Sequence, residues 1–170
     1  FVHRDLKPAN ILLEGEGAKL RPKVTDFGIA KILQDDAGDL GLTGPGMLMG
    51  TLRSMAPEQI TDPRSVDRRA DVFALGCLLY ELFCGASPFA HGDNAAATLT
   101  AITLGRYPAP RQLCPDLPRS VERTIRGCLE PDRDKRLQSC RAVAESLRSK
   151  GAAGERSARA AMAWAEAAAR

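Results

Sequence analysis

Four polar side chains near the start of the sequence carry groups that could do chemistry together. Asp5 and Lys7 stand two residues apart, and Asn10 follows three residues after Lys7. Asp26 lies sixteen residues beyond Asn10. A carboxylate can accept a proton, a lysine can neutralise an anion, and carboxylate and amide oxygens are hard ligands that suit Mg²⁺. A single Asp on a loop is usually a turn residue or a helix cap, so the set as a whole carries the argument.

Three short motifs contain or follow these residues. They are His3-Arg4-Asp5-Leu6-Lys7-Pro8-Ala9-Asn10, Asp26-Phe27-Gly28 and Ala56-Pro57-Glu58. In this order and at this spacing they closely resemble the catalytic loop, the metal-binding loop and the end of the activation segment of eukaryotic-type (Hanks-type) protein kinases. The resemblance implies an α+β protein-kinase-like fold. This chain would then be the mainly α-helical C-terminal lobe, with a short β-hairpin at the catalytic site.

The resemblance also implies a role for each of the four residues in phosphoryl transfer from ATP to a protein hydroxyl. Asp5 accepts or orients the proton of the substrate hydroxyl, and Lys7 places a positive charge beside the transferring phosphoryl group. Lys7, Asn10 and Asp26 are therefore the expected cofactor-binding residues. Asn10 and Asp26 are the expected metal ligands. The expected cofactors are ATP and Mg²⁺, which Mn²⁺ could replace.

Three further residues match positions that hold the activation segment in this family. By resemblance, Thr51 contacts Asp5 and Lys7 and belongs to the segment on which the substrate docks. Glu58 and Arg136 resemble a buried ion pair that anchors this segment to the lobe. Removing one partner of such a pair leaves a buried charge uncompensated, which costs roughly 3–5 kcal/mol.

The resemblance also implies which residues hold the catalytic loop in place. Asp71 matches an aspartate at a helix start that binds the loop backbone, here around His3 and Arg4. His3 is expected to pack and hydrogen-bond next to Asp26 as a structural residue rather than to serve as an acid or a base.

A regulatory site can be placed only as a hypothesis. An arginine directly before the catalytic aspartate, here Arg4, is common in kinases that are switched on by phosphorylation of the activation loop, because an arginine can pair with a phosphate. Thr43 begins the stretch Thr43-Gly44-Pro45-Gly46 within a Gly-rich segment, and we regard it as the candidate phosphosite. Unchanged autophosphorylation and activity in a Thr43→Ala variant of the complete enzyme would end this hypothesis.

The substrate class follows from the lysine at position 7. Protein serine/threonine kinases carry Lys there, whereas tyrosine kinases typically carry Ala-Ala-Arg or Arg-Ala-Ala before the Asn. Residues 24–31 and 50–59 look most like bacterial members of the family. The resemblance therefore implies a bacterial Ser/Thr kinase whose partners are proteins with Ser or Thr. Ser54 departs from the pattern, because the family usually has an aromatic residue there.

Two alternative functions share parts of this pattern. The first is a truncated kinase-like module that binds a partner without catalysis. The second is a small-molecule kinase of the aminoglycoside or choline type, which shares an Asp-to-Asn catalytic loop but lacks the docking segment that residues 50–58 resemble.

The local patterns predict which elements position the site. Residues 11–13 and 23–25 are β-prone runs around a Gly-rich connection, which indicates a hairpin. Residues 29–55 read as one long loop, and such loops are usually functional. Residues 108–118 carry four prolines and should form an irregular connector. Helices are predicted for the buried apolar stretch 71–83, for the stretch 94–104 that Asn94 caps, and for two amphipathic stretches at 120–129 and 139–148.

Composition bounds the class of protein. A chain of 170 residues can form one domain with a core, and its net charge of +3 argues for neither nucleic acid nor a membrane surface as a partner. No apolar run is long enough to span a bilayer. The five cysteines match no zinc or disulfide pattern, so they are read as buried thiols of a cytoplasmic protein. The sequence leaves open whether a membrane anchor lies outside this segment.

The division of the chain is also an expectation. Residues 1–148 are interpreted as a kinase C-lobe, and residues 149–170 as an Ala-rich linker or helix leading out of it. The sequence contains no Gly-rich phosphate loop, no strand lysine for the ATP phosphates and no hinge. The N-lobe is therefore an expected partner in cis, and these 170 residues alone are not expected to be active.

Overall fold

The computed structural model describes residues 2–17, 20–26, 47–90 and 94–148. In these residues the chain forms one β-hairpin followed by a series of helices, as the sequence predicts. The strands are β1 (Ile11–Glu14) and β2 (Arg21–Val24). The helices are α1 (Met47–Leu52), α2 (Pro57–Thr61), α3 (Arg69–Cys84), α4 (Ala95–Leu104), α5 (Pro110–Leu113), α6 (Arg119–Cys128) and α7 (Cys140–Arg148). Short 3₁₀ turns lie at Pro8–Asn10 and Pro63–Ser65.

The hairpin places the start of β1 beside the end of β2. β1 and β2 are antiparallel, with Ile11 opposite Val24 and Glu14 opposite Arg21. The backbone N–H of Thr25 donates to the carbonyl oxygen of Asn10 at 2.9 Å, so the pairing continues one step beyond the strands. Because the strands run in opposite directions, the residue before β1 and the residues after β2 meet at the same end.

Helix α3 is the centre of the described structure. It packs against α5, α6 and α7, and seven of its residues are buried. A β-carbon added at Gly76 would stand 2.6 Å from the β-carbon of Cys128, so glycine is what allows α3 and α6 to approach this closely. The helix ends at Cys84 and is capped by Gly85, which has the left-handed φ of 72° and donates its N–H to the carbonyl oxygen of Glu81 at 2.8 Å.

Aromatic side chains form the middle of the core. The rings of Phe73 and Phe89 are stacked with centroids 5.7 Å apart. Tyr107 meets Phe89 edge-on at 5.6 Å and Tyr80 edge-on at 5.9 Å. The hydroxyl of Tyr80 donates to the carbonyl oxygen of Pro108 at 2.9 Å, which satisfies its polar end within an apolar setting.

Two predictions of irregular structure need correction. The long loop predicted for 29–55 contains α1 in its described part, and the connector predicted for 108–118 contains α5. In α5 a proline occupies the first helical position, where its missing N–H has no helical partner to lose. Proline-rich and Gly-rich composition therefore masked two short helices. By contrast, the helix predicted at 94–104 is confirmed, and Asn94 caps it by accepting from the N–H of Ala97 at 2.9 Å.

The expectation of buried cysteines is also only partly correct. Cys77 and Cys128 are buried, Cys84 and Cys114 are partly buried, and Cys140 is exposed at the start of α7. Burial raises the pKa of the Cys128 thiol to about 12 and that of Cys84 to about 11. These two thiols therefore stay protonated at neutral pH. Within the described part of the chain, no helix has the length and apolar character needed to cross a membrane.

Candidate active site

The backbone of the catalytic loop is held by a carboxylate from α3. The N–H groups of His3 and Arg4 donate to the two carboxylate oxygens of Asp71, at 2.8 Å and 3.0 Å respectively. Arg4 has a φ of 64°, a left-handed conformation that residues other than glycine rarely adopt. A conformation of this kind persists only where its surroundings hold it, so Asp71 helps to fix the shape of the loop.

His3 connects the catalytic loop to the end of the hairpin. Its Nδ1 accepts a hydrogen bond from the backbone N–H of Asp5 at 3.3 Å. The other ring nitrogen, Nε2, lies 3.0 Å from the carbonyl oxygen of Thr25, which can only accept. These partners assign the proton to Nε2 and define a neutral tautomer. The buried His3 ring therefore bonds the residue directly before Asp26.

Asp5, Lys7 and Thr51 form a chain of contacts. The Nζ of Lys7 lies 2.9 Å from Oδ2 of Asp5 and donates to Oγ1 of Thr51 at 3.2 Å. The amide Nδ2 of Asn10 donates to the carbonyl oxygen of Asp5 at 2.8 Å and to its Oδ2 at 3.2 Å. The structure thus brings together a carboxylate, an ammonium group and a hydroxyl, although they come from the catalytic loop and α1.

The residues expected to bind a cation fit that task. Both described hydrogen bonds of the Asn10 side chain use its Nδ2, which leaves the oxygen Oδ1 as a ligand. Asp26 is exposed at the same end of the hairpin and has a φ of 53°. No group of three or more His, Cys, Asp or Glu in the described residues could hold a metal by itself. Two protein oxygens completed by substrate phosphates are a common arrangement for Mg²⁺.

Arg136 joins α2 to the body of the lobe. Its Nη1 and Nη2 donate to the two carboxylate oxygens of Glu58 at 2.6 Å and 2.9 Å. The remaining guanidinium donors reach the carbonyl oxygens of Glu130, Arg69 and Pro131. The exposed fractions of the two side chains are only 0% and 7%. A bidentate pair with every donor satisfied is the arrangement in which burial of both charges is tolerated.

A cleft opens beside the chain of contacts. It encloses about 390 Å³ next to Lys7 and Thr51, and Ser54, Glu81 and Arg53 are among the residues that line it. Burial raises the pKa of the Glu81 carboxyl above its ordinary value, while the Arg53 charge opposes that rise. The cleft therefore contains acidic and basic side chains next to Lys7 and Thr51.

Gln59 contacts the catalytic loop and was not among the residues predicted from the sequence. The side-chain nitrogen Nε2 of Gln59 donates to the carbonyl oxygen of Arg4 at 3.0 Å. The available signal was the pattern Ala56-Pro57-Glu58-Gln59, in which a Gln at the third helical position can cap the helix start. The candidate phosphosite Thr43 and the remainder of the motif after Asp26 lie outside the described residues.

Comparison with known sequences decides the family. Residues 1–147 match the family model of the protein kinase domain. The chain belongs to the protein kinase family. This kinase chain has bacterial relatives, which confirms the prediction of a bacterial Hanks-type kinase, and its described helices and hairpin are consistent with the predicted kinase-like fold. Members of the family generally use ATP and Mg²⁺.

Three relatives carry names that state different kinase activities. The kinase chain is 39% identical over 146 residues to "Tyrosine-protein kinase MasK" of Myxococcus xanthus, covering 86% of the chain and 21% of that protein. It is 38% identical over 144 residues to "DNA damage-responsive serine/threonine-protein kinase RqkA" of Deinococcus radiodurans, covering 85% and 20%. The identity to "Serine/threonine-protein kinase PknJ" of Mycobacterium tuberculosis is 38% over 140 residues, covering 81% and 23%. The kinase chain spans about a fifth of the length of these curated relatives.

Proposed function

We propose that the protein containing this chain is a serine/threonine protein kinase, which transfers the γ-phosphoryl group of ATP to Ser and Thr hydroxyls of other proteins. The observation that carries the proposal is the placement of Lys7 between the carboxylate of Asp5 and the hydroxyl of Thr51, at 2.9 Å and 3.2 Å. An N-lobe in cis and a cytoplasmic location of the domain are part of this proposal.

The arrangement supports a mechanism that depends on positioning. A substrate hydroxyl at the carboxylate of Asp5 would give up its proton to that carboxylate as the new O–P bond forms and the bond from the γ-phosphorus to the bridging oxygen breaks, so that ADP leaves. Lys7, which already lies beside Asp5, would neutralise charge on the transferring phosphoryl group. Asn10 Oδ1 and the Asp26 carboxylate would hold Mg²⁺, which supplies charge compensation for the phosphates of ATP.

Support for the choice between hydroxyl types comes from two sources. Lys7 stands where the family's Ser/Thr kinases carry Lys, and two of the three relatives described above are named as Ser/Thr kinases. One relative is named as a tyrosine kinase, so tyrosine is the specific competitor. The cleft next to Lys7 and Thr51 provides room for substrate residues near the acceptor hydroxyl.

The test is analysis of the phosphorylated amino acids that the full-length gene product makes. It would be incubated with Mg²⁺, γ-labelled ATP and a mixture of casein and myelin basic protein, and the labelled proteins would then be hydrolysed. We expect phosphoserine and phosphothreonine. Phosphotyrosine alone would contradict the proposed substrate class.

A parallel sample of these 170 residues alone serves as a comparison. We expect no transfer in this sample, because the sequence contains no Gly-rich phosphate loop and no strand lysine. A folded full-length protein that incorporates no phosphate at all would favour the alternative, a non-catalytic kinase-like module.

A further inference from the structure

Two short helices begin with the same local arrangement. In α2 the backbone N–H of Ala56 donates to Oε1 of Gln59 at 3.0 Å. In α5 the N–H of Ala109 donates to Oε1 of Gln112 at the same distance of 3.0 Å. Both follow the sequence Ala-Pro-x-Gln, with proline at the first helical position. Because this bond needs only an acceptor oxygen, either Glu or Gln can make it.

Gln59 differs from Gln112 in what its amide nitrogen does. The Nε2 of Gln59 donates to the carbonyl oxygen of Arg4 at 3.0 Å, across 55 residues of sequence. Within the described part of the chain, the side chain of Gln112 bonds through its Oε1 alone. A glutamate at position 59 could cap α2 equally well, but as a carboxylate it could not donate to Arg4. The contact with the catalytic loop therefore needs the amide.

The bond from Gln59 completes the support of the catalytic loop. Arg4 has its left-handed φ of 64°, and Asp71 already holds its N–H. The N–H of the next residue, Asp5, donates to Nδ1 of His3, and the carbonyl oxygen of Asp5 accepts from Nδ2 of Asn10. With Gln59 on the Arg4 carbonyl, side chains hold both peptide groups that flank Asp5.

The position of Gln59 also joins this loop to the docking segment. α2 follows α1, which ends at Leu52 and contains Thr51, the partner of Lys7. One amide side chain therefore contacts the start of α2 through one atom and the catalytic loop through another. Since Glu58, next to Gln59, is anchored by Arg136, the amide is attached to a fixed part of the lobe.

We propose that Gln59 is a positioning residue, which sets the carboxylate of Asp5 relative to Lys7 and Thr51 through its amide bond to the Arg4 carbonyl. The inference rests on the proposed function, because it assigns Gln59 to the geometry of phosphoryl transfer. This role requires the hydrogen-bond donor Nε2 of Gln59. A side chain that only caps α2 through an acceptor oxygen cannot fulfil it.

The first experiment compares matched variants of the full-length gene product. Gln59→Glu keeps the cap and removes the donor, whereas Gln112→Glu makes the same chemical change where no donor is used. We expect Gln59→Glu to lower kcat roughly 10- to 100-fold, because small displacements of catalytic groups are costly, and to leave the KM for ATP nearly unchanged. Gln112→Glu should keep the wild-type kcat.

Stability measurements separate positioning from folding. The melting temperature of Gln112→Glu should stay near that of the wild type, and that of Gln59→Glu should fall only slightly, because both retain the cap and Gln59→Glu loses just the bond to the Arg4 carbonyl oxygen. Gln59→Met loses both bonds, and we expect it to lose kcat at least as strongly as Gln59→Glu. Wild-type kcat in Gln59→Glu, or a loss of kcat that Gln112→Glu shares, would overturn the proposal.

Amide hydrogen exchange tests whether Gln59 holds the catalytic loop, and it does so without a measurement of catalysis. Amide hydrogen exchange of the peptide covering residues 2–7 should be faster in Gln59→Glu than in the wild type, and unchanged in Gln112→Glu. Equal exchange in all three proteins would show that the bond does not hold the loop, which overturns the proposal. If the wild type phosphorylates no protein, the proposed function fails, and the exchange experiment still decides whether Gln59 holds the loop.

Discussion

Asp5→Asn should lower the kcat of the full-length kinase about 100- to 10 000-fold, which is the range for loss of a general base. The amide has the shape of the carboxylate but cannot accept the proton of the substrate hydroxyl. The change should disturb the loop little, because the amide oxygen of an asparagine can still accept from Lys7 and Asn10, and because the bond from Asn10 to the carbonyl oxygen of residue 5, at 2.8 Å, involves only the backbone of that residue. The measurement is the rate of phosphate incorporation at saturating Mg²⁺–ATP.

Asp116→Asn is the matched control for this change. Asp116 is exposed in the turn between α5 and α6, so the same substitution there removes a carboxylate far from the catalytic loop in sequence. We expect its kcat to equal that of the wild type. If Asp5→Asn retained a wild-type rate, Asp5 would not be the base. If it failed to fold, a structural role would be indicated instead.

Arg136→Met should destabilise the folded lobe by roughly 3–5 kcal/mol, the cost of leaving one charge of a buried pair uncompensated. The substitution strands the carboxylate of Glu58 and removes the donors that bond the carbonyl oxygens of Glu130, Arg69 and Pro131. At about 2–4 °C per kcal/mol for a chain of this size, the melting temperature should fall by about 6–20 °C. Urea unfolding followed by circular dichroism would measure the change in free energy of unfolding.

An exposed ion pair provides the comparison. Arg69 and Asp134 approach to 2.6 Å, but the Asp134 side chain is 80% exposed. Asp134→Ala should cost at most about 1 kcal/mol, because surface pairs are screened by water. Arg136→Lys should behave more like Arg136→Met than like the wild type, since lysine cannot present the planar fork that Glu58 accepts. A cost for Arg136→Met as small as that of Asp134→Ala would contradict the assigned role of the buried pair.

Much of the local structure could be predicted from neighbouring residues. The predicted helix at 71–83 corresponds to α3, and the stretch beginning at Asn94 corresponds to α4. The hairpin was predicted within one or two residues at each end. These predictions succeed because a helix, a cap and a turn depend on hydrogen bonds between residues a few positions apart, which the order of residue types determines. The short helices α1 and α5 were missed because Gly and Pro around them resemble loop composition.

The contacts that hold α2 and the catalytic loop could be predicted from the sequence to different degrees. The pairing of Glu58 with Arg136 was expected only through resemblance to a family, since 78 residues separate the two and no local pattern relates them. The cap formed by Gln59 was readable in its own sequence neighbourhood, but its bond to Arg4 was not.

The sequence by itself determined the family, the four residues proposed for chemistry and the longer helices α3, α4, α6 and α7, because each of these depends on residue types at short spacing. The contacts of Lys7 with Thr51 and of His3 beside Asp26 were expected only through the family resemblance, and only the tertiary structure decided that Gln59 bonds the carbonyl oxygen of Arg4. The physical reason is that a side chain distant in sequence becomes a hydrogen-bond partner only when packing of α3 against its neighbours brings the two backbones together.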